Sequence, residues 1–158
     1  LKKENLKFSD YAKKSIHDLF SEKKLNQSIQ KEVTNSESII ALNDGSNNFK
    51  INALPLKAQF SCINAIELID VNNDGFLDII YGGNDYALKP QFSQLDASFG
   101  GVLLNNKKGL FKWVNVNESG FFVKGVVTGI DVLNSNKKNK QVLLGINNEK
   151  PVLFSLNE

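Results

Sequence analysis

The chain has 158 residues, of which 41% are hydrophobic, and a formal net charge of +2. That is enough for one domain-sized core. The near-balance of charge argues against nucleic acid as a partner, because the lysines are scattered or sit in polar turns such as NNKKG and NSNKKNK. No run of about 18 apolar residues offers a membrane-spanning helix. With no signal peptide and no methionine, a chain beginning Leu-Lys-Lys reads as an internal or processed fragment.

In residues 1–36 the pattern is helical. Phe8, Tyr11, Ala12, Ile16, Leu19 and Phe20 recur at three- and four-residue spacing, with Ser9 placed to cap. Ser21 is placed to cap a second helix that turns Leu25, Ile29 and Val33 inward. The single His17 has no Cys or His at metal-ligand spacing and reads as a solvent-facing helix residue. This segment is expected to be a helical insertion or cap.

After Thr34, Asn35 and Ser36 the apolar period changes to two. Eight or nine short strands follow, separated by Asn- and Gly-rich turns, so the body is expected to be all-β. Cys62, the single cysteine, cannot form an internal disulfide. Its place in FSCINAI reads as a small buried hydrophobe rather than a nucleophile.

The most specific chemistry lies in DVNNDGFLD, residues 70–78. Asp70, Asn72, Asp74 and Asp78 place hard oxygens at the first, third, fifth and ninth positions of a loop. Phe76 can add its backbone carbonyl, and Gly75 permits the tight turn, which is the way a chain wraps Ca²⁺. A helix–loop–helix calcium hand would need a bidentate Glu three residues after Asp78, where this chain has Tyr81. The flanks AIELID and LDIIYGG are strand sequences instead. Asn-Asp-Gly also makes a good hairpin turn without metal, but a plain turn does not call for Asp at both ends.

The body repeats itself. SIIALNDGSNNFKIN corresponds to GVLLNNKKGLFKWVN at a constant offset, with Leu42 matching Leu104, Asn43 matching Asn105 and Phe49 matching Phe111. IELIDVNNDGFLDIIYGGN matches VTGIDVLNSNKKNKQVLLGIN more loosely, with Asp70 opposite Asp131 and Gly82 opposite Gly145. Two four-stranded units are expected, residues 37–100 with the calcium loop and residues 101–158 as a degenerate copy. Their apolar repeats centre on Leu68 and Val127. Because the second loop carries Asn and Lys where the first carries Asp, one Ca²⁺ is expected.

The run DVNNDGFLDIIYGG resembles the calcium loop of FG-GAP (VCBS) repeats, the blades of integrin-like β-propellers. Together with LNDGSNNF, LDASFGGVLL and ESGFFVKGVVTGI it is similar to the C-terminal part of secreted Bacteroidetes proteins that carry an ASPIC/UnbV-type domain. FSDYAKKSIHDLF resembles a helical segment just upstream in such proteins. The resemblance implies a calcium-stabilised, non-catalytic binding or scaffold module for a protein or glycan partner, exported to the outer-membrane surface as a lipoprotein or otherwise secreted. A place in a nutrient-uptake complex is part of the same expectation. Two blades cannot close a ring, so the remainder of the propeller is the first partner expected.

An enzyme is the alternative. Asp85 and Asp96, with Tyr86, Lys89 and Gln91, fall in the polar 82–101 loop, and two carboxylates at the right separation could serve a hydrolase or lyase. No nucleophile and base are visible beside them, since the one His and one Cys lie far apart in different kinds of element.

Overall fold

The computed structural model describes residues 5–89, 91–133 and 140–156. Two compact units divide the chain, Leu1–Ser36 and Glu37–Glu158.

The first unit holds three short helices, α1 (Phe8–Tyr11), α2 (Ile16–Leu19) and α3 (Glu22–Asn26). The pattern expected to form one helix across residues 8–20 is broken at Ser15, which starts α2 with a capping box. Its hydroxyl accepts the Asp18 N–H at 3.4 Å, and the Asp18 carboxylate accepts the Ser15 N–H at 2.8 Å. Ser9 lies inside α1, whose N-cap is Lys7, and Ser21 occupies the N-cap of α3 without a side-chain bond. α3 then stops early. The Ser28 hydroxyl donates to the Leu25 carbonyl, and Ile29 and Val33 remain 86% and 83% exposed rather than turned inward.

The second unit is mostly β. Strands β1 (Ile39–Asn43) and β2 (Phe49–Ala53) form a two-stranded sheet. β3 (Ile63–Ile69), β4 (Asp78–Gly83), β5 (Gly101–Asn105) and β6 (Phe111–Trp113) form a four-stranded antiparallel sheet in chain order. β7 (Val127–Leu133), β8 (Gln141–Ile146) and β9 (Val152–Ser155) form a three-stranded one. A 3₁₀ turn, Leu56–Gln59, and a one-turn helix α4, Val116–Ser119, lie in the connections.

The described strands therefore group as two, four and three, where two groups of four were expected. Across residue 100, β4 and β5 are hydrogen-bonded neighbours, pairing Ile79 with Leu103, Ile80 with Val102 and Tyr81 with Gly101. At the offset read from the sequence, β1 and β2 fall opposite β5 and β6, and β3 and β4 opposite β7 and β8. A repeat read by similarity has no defined starting point, and here hydrogen bonding sets its phase.

Successive strand residues point to opposite faces, and both faces of the four-stranded sheet are covered. On one face Ile79, Tyr81 and Leu103 are buried with Leu54 and Ala58, and Ile40 of β1 packs against them. On the other, Ala65, Ile69, Ile80 and Val102 are buried against Val127, Val142 and Leu144 of the three-stranded sheet, with Phe121 and Val123. Consequently β4 is buried at every position. Leu68, expected inside like Val127, is 52% exposed, whereas Val127 is 1% exposed. Leu68 shares the face of its partner Ile79 but lies outside the cluster buried there.

Gly82 of β4 packs directly against Val127 of the third sheet. A Cβ there would stand 2.7 Å from Val127 Cβ, which leaves no room for a methyl group. Gly82→Ala should destabilise the protein by about 1–3 kcal/mol through overpacking, measured as a lower urea midpoint at unchanged m-value.

Tyr81 lies 2% exposed, with its ring against Gly101. Burial disfavours the phenolate and pushes the phenol up from 10.0 to about 12. A folded-state value above the unfolded one stabilises the protein below pH 10, and that contribution is lost as pH rises towards 12. A spectrophotometric titration of the native protein should show a tyrosine step near pH 12 that moves to about 10 in denaturant. The absence of such a late step would contradict the burial.

Candidate functional site

The 70–78 loop joins β3 to β4 and is held by its own side chains. Asp70 Oδ1 accepts the Asp74 N–H at 3.0 Å and Asp70 Oδ2 accepts the Gly75 N–H at 2.9 Å. Asn72 Oδ1 accepts the same Asp74 N–H at 3.2 Å, and Asp74 Oδ1 accepts the Phe76 N–H at 3.0 Å. These are Asx-type turns, in which a short polar side chain replaces a backbone partner. Asn73 at φ 59° and Gly75 at φ 87° supply the two left-handed residues that bend the chain tightly. Oxygens of Asp70 and Asn72 thereby meet at one nitrogen on the inside of the turn.

Asp78 is placed differently. It opens β4, is fully buried, and uses Oδ2 to accept the Val71 N–H at 2.9 Å and Oδ1 to accept the Asn105 N–H at 2.8 Å. Asn105 answers by donating from Nδ2 to the Leu77 carbonyl at 3.1 Å. Asp78 therefore ties the start of the loop to the end of β5.

Two lysines complete the surroundings, and neither was visible in the sequence as part of the site. Lys140, just before β8, donates to the Asp70 carbonyl at 2.7 Å and to Asn73 Oδ1 at 3.0 Å. Lys107, from the β5–β6 turn, stands 3.9 Å from Asp74 Oδ2 and 5.2 Å from the centre of the Phe76 ring. Both are distant in sequence from the loop, so only the stacking of sheets and hairpins brings them there.

The donor types suit a hard cation. Asp70, Asn72, Asp74 and the Phe76 carbonyl lie around the turn, and a carboxylate oxygen that accepts one N–H keeps a second lone pair. Among the described residues no group of three His, Cys, Asp or Glu side chains is gathered closely enough to hold a metal ion. Asp78 is directed at Val71 and Asn105. The degenerate second loop, around residues 134–139, lies outside the described residues.

The two carboxylates of the 82–101 loop have different surroundings. Asp85 exchanges two backbone bonds with Leu95, each 2.9 Å, and its Oδ1 accepts the Ala87 N–H at 2.8 Å. Asp96 is exposed. A cavity of about 220 Å³ nearby is lined by Lys57, Phe60, Tyr81 and Trp113 together with residues 97–100, and by neither carboxylate. Cys62 is half-buried, and its carbonyl accepts the Asn84 N–H at 3.1 Å.

Asn84 is the residue that sequence reasoning missed in this loop. It is 2% exposed at φ 79°, and its Nδ2 donates to the Ser98 carbonyl at 2.7 Å and the Gly125 carbonyl at 3.0 Å. Its Oδ1 accepts the Ser98 N–H at 3.1 Å. Its own carbonyl accepts from Asn64 Nδ2 at 2.7 Å. The only sequence clue is an Asn after two glycines, which reads equally well as an ordinary turn.

Comparison with protein-family models, with curated proteins and with solved structures finds no match. Among the described residues no helix is long and apolar enough to cross a membrane.

Asn84→Ala should cost about 1–3 kcal/mol, because it removes the donor to the buried Ser98 carbonyl and the half-buried Gly125 carbonyl. Asn84→Asp should cost more, since it sets an acceptor against those same two carbonyls. Chemical denaturation of the two variants beside the parent measures the order; equal stability of all three would contradict it.

Proposed function

We propose that this chain is part of a Ca²⁺-stabilised β-propeller of the FG-GAP kind and acts as a non-catalytic binding or scaffold module. Its ligand would be a protein or glycan at the cell or outer-membrane surface. The observation that carries the metal is the turn in which Asp70 and Asn72 direct oxygens at the Asp74 amide while Asp74 caps the Phe76 N–H. Asp70, Asn72, Asp74 and the Phe76 carbonyl would hold the ion, with Asp78 as the fifth donor through a lone pair left free by its bonds to Val71 and Asn105.

The stacking favours a propeller. A complete four-stranded meander lies between a two-stranded sheet and a three-stranded one. In a propeller these correspond to the outer half of one blade, one whole blade and three strands of the next. Calcium would then hold the β3–β4 connection in its turn, competing with the Lys107 ammonium for the Asp74 carboxylate. Recognition would fall to exposed loops.

Calcium at one hundred times its dissociation constant should stabilise the parent by about 2.7 kcal/mol. Asp74→Ala should lower stability even without calcium, by losing the cap on the Phe76 N–H, and should abolish the response to added calcium. Thermal melts of both proteins with and without Ca²⁺ test this. Equal calcium shifts in the two would remove the loop from consideration.

A further inference from the structure

We propose that the cavity of about 220 Å³ beside Trp113 is a binding site for a small aromatic acid, a flat ring carrying one carboxylate and one further oxygen. The site goes beyond the scaffold reading and uses none of the calcium donors.

The charge comes from Lys57. It lies on the 3₁₀ turn, is the one charged residue of the lining, and holds its ammonium 4.8 Å from the centre of the Phe60 ring and 5.6 Å from that of Trp113. Among the described residues it makes no ion pair. A cation held by ring faces keeps its N–H donors free for an anion, and no carboxylate of the lining competes for them.

Tyr81 supplies the second group. Its partner on β5 is Gly101, and the missing side chain there lets the Tyr81 ring lie across that strand, with the hydroxyl 2.7 Å from where a Cβ would stand. The phenol thus reaches from β4 towards β6 and the cavity. Among the described residues its hydroxyl makes no hydrogen bond, although every described side-chain oxygen that is cut off from solvent has a partner. The hydroxyl therefore opens onto the cavity that Tyr81 lines. Burial keeps the phenol protonated, so it stands there as a donor. The Ser98 wall beside it is already fixed, since Asn84 bonds both its N–H and its carbonyl and its hydroxyl accepts the Gly100 N–H at 3.2 Å.

The remaining walls choose the body of the ligand. Phe60, Trp113 and Phe99 present aromatic surface, and Phe99 is braced by stacking on Phe122 with ring centres 4.7 Å apart. Such walls favour another ring, offset or edge-on. At roughly 30 Å³ per water the cavity holds about seven waters, which is room for one substituted ring and not for a chain. A sugar of that size has a hydroxyl on nearly every carbon, and most of these would lose water without gaining a partner. An aromatic acid needs only the lysine and the phenol.

Isothermal titration calorimetry of the full 158-residue chain with para-hydroxybenzoate should show one site. Benzoate, which lacks the second oxygen, and the methyl ester of para-hydroxybenzoate, which lacks the charge, should each bind at least about tenfold more weakly. Glucuronate should not bind. Fluorescence of Trp113, the one tryptophan of the chain, should change with occupancy. Lys57→Gln should weaken para-hydroxybenzoate by about tenfold or more. Tyr81→Phe should erase its advantage over benzoate and leave the urea midpoint unchanged, because the hydroxyl has no bond to lose in the free protein. No binding by the parent, undiminished binding by Lys57→Gln, or a preference for para-hydroxybenzoate retained in Tyr81→Phe would each overturn the proposal. A lowered urea midpoint in Tyr81→Phe would make the hydroxyl structural, and tighter binding of glucuronate would give the cavity to an acidic glycan; either result overturns it as well. Circular dichroism checks folding, and the benzoate and ester comparisons on the parent test the same two groups if a variant fails to fold.

Discussion

Coverage of both faces of the four-stranded sheet is the constraint on which the rest of the β unit depends. β4 carries no solvent-facing position: Ile79 and Tyr81 are buried with Leu54, Ala58 and Ile40, and Ile80 against the third sheet. Burying one such aliphatic side chain contributes about 1.5–3 kcal/mol, and an isolated hairpin has no second layer against which to bury it. The close contact of Gly82 with Val127 shows how tightly the layers meet. Stability is therefore a property of the stack rather than of any one sheet.

The ends of β4 are fixed by polar rather than apolar means. At one end Asp78, and one residue beyond the other end Asn84, are both buried and both bonded to backbone groups of segments from elsewhere in the chain. Asp78 holds the start of the 70–78 loop and the end of β5. Asn84 holds the segment around Ser98 and the turn at Gly125. Unmade bonds to buried polar groups are costly in a low-dielectric interior, so these two residues admit few alternative arrangements of the connections.

That bracket gives the candidate loop its character. Its own Asx turns would set its shape in a short peptide, but Lys140 and Lys107 reach it only because the next sheet and the next hairpin are packed alongside. A cation within the turn would face two ammonium groups at its border. Any gain in stability from the ion is thus coupled to the stacking of the second and third sheets.

The sequence by itself determined the β character of residues beyond 36, the separate helical nature of those before and the turn of the 70–78 loop. These follow from local information: period-two alternation, three- and four-residue spacing, and the Asx and glycine chemistry of a tight turn. It misplaced the phase of the repeat, because a periodic pattern leaves open which neighbouring strands share a sheet. It also expected Leu68 to be buried, because alternation assigns a face without saying whether a layer lies over it. Only the tertiary structure decided that Asp78 would clamp β5, that Asn84 would be a buried hub and that Lys107 and Lys140 would border the loop. Each of these depends on pairing or stacking between segments far apart in the chain, where side-chain identity alone carries no record of the partner.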